Sequence, residues 1–342
     1  MDFIQPEVNV LEGPAGLRFV QIDYASELRM ASHVHEPEAA LAPDRTPPAA
    51  RAGTWVTDLM LLSMALIWGV NFSVVKIGTH HFAPSAFSGL RVALASVVLA
   101  GIAVALRDHL PCVRDRWRLA GLGVLGHGLY QVCFIEGIAR TTAGTAALVL
   151  AAGPAFIALV GRVRGSETLA PRAWGGIALQ LLGMAGVVLG TAGQSAGAAR
   201  GASPLGPALI LFGALCWAIY SVLLKPYAER IHPLQVSAWT MFGGVTVLGF
   251  VTLPALLRTD FAAVPAAGWN ALLYSGLLAL VVAYLFYYRG VRVLGPTRTA
   301  MYANLQPLIA LVVAYLTLGE RPTAVQLSGA AAIMVGLLIS RR

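Results

Sequence analysis

Charge is scarce in this sequence. Lys, Arg, Asp and Glu make up 12% of its 342 residues while hydrophobic types make up 57%, against the roughly 25% charged content of soluble globular chains. So few polar side chains cannot coat a water-facing surface, whereas a bilayer accepts apolar surface on every side of a helix, so a soluble fold is excluded. Cysteine is equally sparse. Cys112, Cys133 and Cys216 have neither paired nor metal-like spacing, which removes a disulfide framework and a zinc site from consideration. There is no glycine-rich phosphate loop, no HExxH and no GxSxG placed after a strand. ATP-driven or hydrolytic chemistry is therefore not expected, and no metal, cofactor or catalytic residue is implied. The opening MDFIQPEV has an acid and a proline where a secretory signal needs basic and apolar stretches, so the first apolar span is expected to act as an uncleaved membrane signal.

The net charge of +8 is unevenly placed. Residues 1–57 carry eight acidic and four basic side chains, and residues 58–342 carry eight and twenty. The positive charge thus belongs to the apolar part, where loop Lys and Arg set orientation, and does not point to nucleic acid. Residues 1–57 read as a disordered cytoplasmic tail, in which Met30 opens a segment resembling an ordinary leader, so residues 1–29 read either as native or as a gene-start artefact. Beyond Trp55, apolar stretches predict ten transmembrane helices near 58–78, 85–106, 117–139, 142–161, 172–190, 204–225, 233–257, 269–290, 298–317 and 324–340. With the N-terminus inside, 18 Lys and Arg fall on the inner side and 5 on the outer. A multi-pass protein of the cytoplasmic membrane with both termini cytoplasmic follows, its first partner being the lipid bilayer.

The chain also repeats itself. Trp68 to Lys76 (WGVNFSVVK) recurs 149 residues later as Trp217 to Lys225 (WAIYSVLLK), and Pro84 recurs as Pro233. Further on the offset is 153, pairing Gly137 with Gly290, Pro154 with Pro307, Glu167 with Glu320 and Gly183 with Gly336. The predicted architecture is an all-α integral membrane fold of two five-helix repeats, 58–190 and 204–342, joined by a short linker at 191–203. Five is odd, so the second copy enters the membrane in the opposite sense. Such inverted repeats have the geometry of alternating access.

On these residues the sequence resembles the EamA family of the drug/metabolite transporter superfamily. The likeness runs from about Trp55 to Ile339 and rests on the WGVNFSVVK start, the prolines of the fourth and ninth helices, and GERPT at 319–323 before a glycine-bearing last helix. The first copy departs from it, with GSETL at 165–169. The resemblance implies ten helices, a central cavity between the repeats, and transport, often export, of small metabolites.

Polar and helix-breaking residues inside spans are the candidates for lining that cavity. Pro154 and Pro307 read as mid-helix breaks, Pro307 having Tyr302, Asn304 and Gln306 beside it where the first copy has only Ala151, Ala152 and Gly153. Trp68 and Asn71 share a face of the first helix, as Trp217 and Tyr220 share one of the sixth. His127, Tyr130, Gln131 and Phe134 follow helical spacing on the third, and Tyr284 opens an aromatic stretch on the eighth. Each set reads either as cavity wall or as ordinary helix packing. Arg91 and Glu136 are the charges expected inside spans, read either as a gating pair or as a snorkelling arginine and a solvated acid; Glu136 and His127 are the titratable candidates should a proton be the coupling ion. The expected function is secondary transport or export of a small amphipathic metabolite, such as an amino acid. A non-transporting scaffold or an intramembrane enzyme is the alternative. The glycines of the fifth and tenth helices fit internal packing and a homodimer equally.

Overall fold

The structure, a computed structural model, describes residues 8–12, 18–22, 48–106, 109–165, 171–194 and 205–340. They divide into two units, Met1–Pro48 and Ala49–Arg342. In the first, β1 (Val8–Glu12) and β2 (Arg18–Ile22), rich in β-branched and aromatic side chains, pair antiparallel with Val10 opposite Val20. Of the rest of the expected disordered tail, residues 48–57 are helical and the others lie outside the described residues, as do Glu167 and most of the expected linker.

The second unit is helical. Its elements are α1 (Pro48–His81), α2 (Pro84–Ala105), α3 (Val113–Ala139), α4 (Ala143–Leu150), α5 (Gly153–Val163), α6 (Pro171–Gln194), α7 (Leu205–Ala228), α8 (Pro233–Leu257), α9 (266–303), α10 (Gln306–Leu318) and α11 (Ala324–Ser340). Counting α4 with α5, eight stretches are long and apolar enough to cross a membrane, while α10 and α11 are apolar but shorter. Pro84, Pro171 and Pro233 open their helices, where a missing N–H is harmless. Gly165 and Gly319, at φ 68° and 67°, adopt the left-handed conformation just past the ends of α5 and α10. Where Arg289, Arg292 and Gly295-Pro296 predict a loop at 291–297, the backbone of α9 stays helical to Ala303.

Two departures from regular helix recur at the 153-residue offset. The chain breaks at Ala151–Ala152 between α4 and α5, and at Asn304–Leu305 between α9 and α10. Each break carries a tight turn, from the Ala152 N–H to the Val149 carbonyl at 3.2 Å and from the Leu305 N–H to the Tyr302 carbonyl at 3.0 Å. Pro154 and Pro307 consequently lie in the first turn of a new helix, not in mid-helix as their place in an apolar run suggests. The second departure is a wide π turn, Val124–Leu129 within α3 and Tyr274–Val282 within α9. Its five-residue hydrogen bonds run from the Tyr130 N–H to the Leu125 carbonyl and from the Ala283 N–H to the Leu278 carbonyl.

Packing is organised in two large clusters and a small third one of Leu61, Met64 and Ala283. Phe72, Phe87, Phe134, Ile138, Leu148 and Ile333 belong to one large cluster, Leu99, Leu119, Tyr220, Met241, Leu248 and Tyr288 to the other. α6 and α11 touch backbone to backbone: a Cβ on Gly176 would sit 2.5 Å from the Gly336 carbonyl oxygen and one on Gly183 2.6 Å from that of Gly329. These glycine faces therefore serve packing inside the fold. Val97, Leu182, Leu189, Phe250 and Leu316 point outward, an apolar exterior suited to lipid.

Candidate functional site

A cavity of about 190 Å³ lies among α1, α2, α3, α7, α9 and the two helix breaks. It is bounded by Trp68 and Asn71 from α1, Arg91 from α2, Tyr130 and Gln131 from α3, Trp217 from α7 and Tyr284 from α9. Pro154 with Ala151 and Gly153 comes from the first break, and Pro307 with Asn304 and Gln306 from the second. Of the thirteen residues that helical spacing and repeat position nominate, leaving the two charges aside, ten are on this wall, and Arg91 joins them. Phe72, Ala279, Leu280, Met334 and Leu337 also line it, apolar residues in apolar helices with no signal of their own in the sequence.

The breaks explain why backbone that is not helical is tolerated at this depth, since it borders a cavity and not lipid. The π turn contributes too. It frees the Ala279 carbonyl, which accepts a hydrogen bond from the Trp68 indole N–H at 2.9 Å, and so fixes that ring against Tyr284, 5.2 Å away edge to face. Trp217 completes the aromatic wall, 5.3 Å from Tyr130 and 5.9 Å from Tyr284.

Four expected candidates, His127, Tyr220, Tyr302 and Glu136, stand elsewhere. His127 is fully buried behind the wall, with Nε2 3.3 Å from the Tyr220 hydroxyl, which is itself 2.8 Å from that of Tyr288. The Tyr302 hydroxyl donates to Asp58 at 2.8 Å, near the start of the α1 span. Glu136 pairs with Arg140, one turn away on the same helix. The Arg91–Glu136 pair does not form, because a partner at i+4 on the same helix is closer to hand than one on α2. Nor does Arg91 snorkel, being 1% exposed. Its Nη2 donates to Gln131 Oε1 at 3.1 Å and its guanidinium lies 5.8 Å from the centre of the Phe134 ring, while Nε and Nη1 have no partner among the described residues.

The ends of the bundle are held by contacts between the copies. At one end both Glu320 oxygens accept backbone N–H groups at the start of α4, Ala143 and Gly144, each at 2.9 Å. Beside them Lys76 donates to the Ile138, Ala139 and Thr141 carbonyls at 3.0, 3.2 and 2.6 Å. At the other end Arg230, in the α7–α8 turn, makes two hydrogen bonds of 2.6 and 2.8 Å to Asp115 at the start of α3.

Comparison with known proteins agrees with this arrangement. A known crystal structure superposes with a TM-score of 0.60 at 20% identity, covering 84% of this chain and 98% of its own, which speaks to the fold. A probable terminal-alkyne amino-acid exporter of Streptantibioticus cattleyicolor is 31% identical over 283 residues, 82% of this chain and 92% of that protein. A probable amino-acid metabolite efflux pump of Salmonella typhimurium is 28% identical over 291 residues, 82% and 93% of the two chains. The pattern of the EamA-like transporter family matches twice, at residues 55–189 and 204–342. The chain belongs to the EamA-like transporter family.

Proposed function

We propose that this membrane transporter exports a small amphipathic metabolite, an amino acid or a relative of one, by alternating access between its two copies. The observation that carries the reading is the cavity enclosed between the copies, reached by a helix break from each and walled by aromatic rings around one buried cation. The names of the amino-acid exporter and the efflux pump point the same way. In this reading α10 and α11 also cross the bilayer, giving ten spans, and the odd number per copy inverts the second against the first. Rocking one copy against the other would open first one end of the bundle and then the other. The test is counterflow in proteoliposomes: vesicles preloaded with an unlabelled amino acid should transiently concentrate the labelled compound, and flat uptake across a panel of aromatic and aliphatic amino acids would defeat the reading.

The inversion has its own check. Both termini are placed in the cytoplasm because 18 of the Lys and Arg fall on that side and 5 on the other. A reporter enzyme that works only outside the cytoplasm should be silent when fused after Arg342 and active when fused after Gly197. The opposite pair of results would reverse the orientation.

A further inference from the structure

We propose that Arg91 is the anchor for a substrate carboxylate, so that the transported molecules are amino acids with an aromatic or bulky apolar side chain. The inference rests on the transport reading above and names the substrate class of the same cavity.

The charge around Arg91 is unbalanced. Arginine stays charged at any physiological pH, and a buried guanidinium without a counter-charge is unfavourable. Arg91 is 1% exposed, yet its one hydrogen bond among the described residues goes to a neutral amide, Gln131, and Nε and Nη1 are unused. No Asp or Glu is among the residues that line the cavity, and Glu136 is taken by Arg140. The missing anion must therefore come from what enters. Nη2 carries a second N–H beside the one given to Gln131, and with either Nε or Nη1 it forms a fork that matches the two oxygens of a carboxylate.

The rest of the cavity selects the body of the ligand. Asn71 is 5% exposed and its Oδ1 lacks a partner among the described residues, which leaves an acceptor for the ammonium group of an α-amino acid. Trp68, Trp217 and Tyr284 supply ring faces and edges for an apolar side chain. A volume of about 190 Å³ lies under the ~300–1,000 Å³ of sites for drug-sized ligands, which suits a single amino acid. Amines without a carboxylate would meet the cation with nothing to neutralise it.

The test uses the full chain in proteoliposomes preloaded with unlabelled L-phenylalanine, measuring counterflow of labelled L-phenylalanine and of labelled L-phenylalaninamide. The wild type should concentrate the acid and take up the amide at least about tenfold more weakly, the scale of one charged hydrogen bond. Arg91→Gln should reduce acid counterflow by about tenfold to a hundredfold and leave amide uptake unchanged or raised. Arg91→Lys, which keeps the charge without the fork, should fall between, and together with the wild-type comparison it keeps the test decisive if Arg91→Gln does not fold. Equal handling of acid and amide by the wild type, or full acid counterflow by Arg91→Gln, would overturn the anchor while leaving transport intact. Uptake of neither compound would remove the substrate class, and transport of other amino acids in the panel would then decide the parent reading separately.

Discussion

Glu320→Ala is expected to lower counterflow about thirtyfold and to leave the cavity open at the end of the bundle that holds residues 140–142. The carboxylate bridges the two copies: it comes from the turn after α10 and accepts both the Ala143 and Gly144 N–H groups at 2.9 Å. Those are first-turn donors of α4 that no helical carbonyl can reach, and they carry the positive end of the helix dipole. Gln326 extends the same contact, donating to Thr145 Oγ1 at 3.1 Å while its backbone N–H and side-chain carbonyl close a capping box with Thr323 at 3.2 and 2.8 Å. Removing two charge-assisted bonds costs about 2 kcal/mol in a partly buried site, the equivalent of a thirtyfold change in the balance between closed and open. The readout is Ala147→Cys, placed in the cavity wall, in a background with Cys112, Cys133 and Cys216 changed to Ser. A membrane-impermeant maleimide added on the 140–142 side should label it faster once Glu320 is gone. Unchanged labelling and unchanged counterflow would show the bridge to be an ordinary cap.

Charge reversal at the other end should act on the opposite face. Asp115 and Arg230 also join the two copies, by a bidentate pair in which Asp115 is 8% and Arg230 53% exposed at the side chain. They lie at the far end of α3 from residues 140–142, about 40 Å away along a helix of 27 residues. Breaking an exposed pair by neutralisation has a modest effect. Asp115→Arg, which sets two guanidiniums together and leaves one largely buried, should reduce counterflow about a hundredfold, on the ~3 kcal/mol scale of an uncompensated buried charge. Labelling of Ala147→Cys should rise from the Arg230 side and fall from the 140–142 side. Adding Arg230→Asp should restore a large part of the activity. A double variant no better than Asp115→Arg alone would mean that the pair stabilises the fold without taking part in opening.

The parts of the molecule that sequence shows well are those carried by one helix at a time. Apolar length finds the spans, and the paired WGVNFSVVK and WAIYSVLLK segments expose the two copies. Three- and four-residue spacing then picks out Trp68 with Asn71, and Tyr130 and Gln131 with Phe134, all on the cavity wall. What depends on a second element is harder to read. Arg91 and Glu136 look like partners from depth alone, but Arg140 lies one turn from Glu136 and takes it. His127 shares its helix with Tyr130 but sits in the π turn, where the wider winding directs it behind the wall to Tyr220. A π turn changes the angular step without changing composition, so nothing in an apolar run announces it. The helix breaks were half visible: Pro154 and Pro307 marked the places, and only the backbone shows that the chain stops and restarts there. Glu320 was visible as part of GERPT, its destination on α4 was not.

The matched breaks and matched π turns also date one another. Features found at the same offset in both copies are most simply inherited from a single ancestral copy, so the Val149–Ala152 and Tyr302–Leu305 turns, and the Leu125 and Leu278 five-residue bonds, belong to the stage before duplication. The side chains around them have since diverged. Ala151 and Gly153 face Asn304 and Gln306 across the same cavity, and Pro296, which has no N–H to offer, stands at the offset position of Ala143, whose N–H receives Glu320. The ancestor would thus have supplied the skeleton of the cavity, while its polar side chains now differ between the copies, Asn71, Arg91 and Gln131 standing in the first and Asn304 and Gln306 in the second. Two unlike sets of polar groups therefore share one inherited shape.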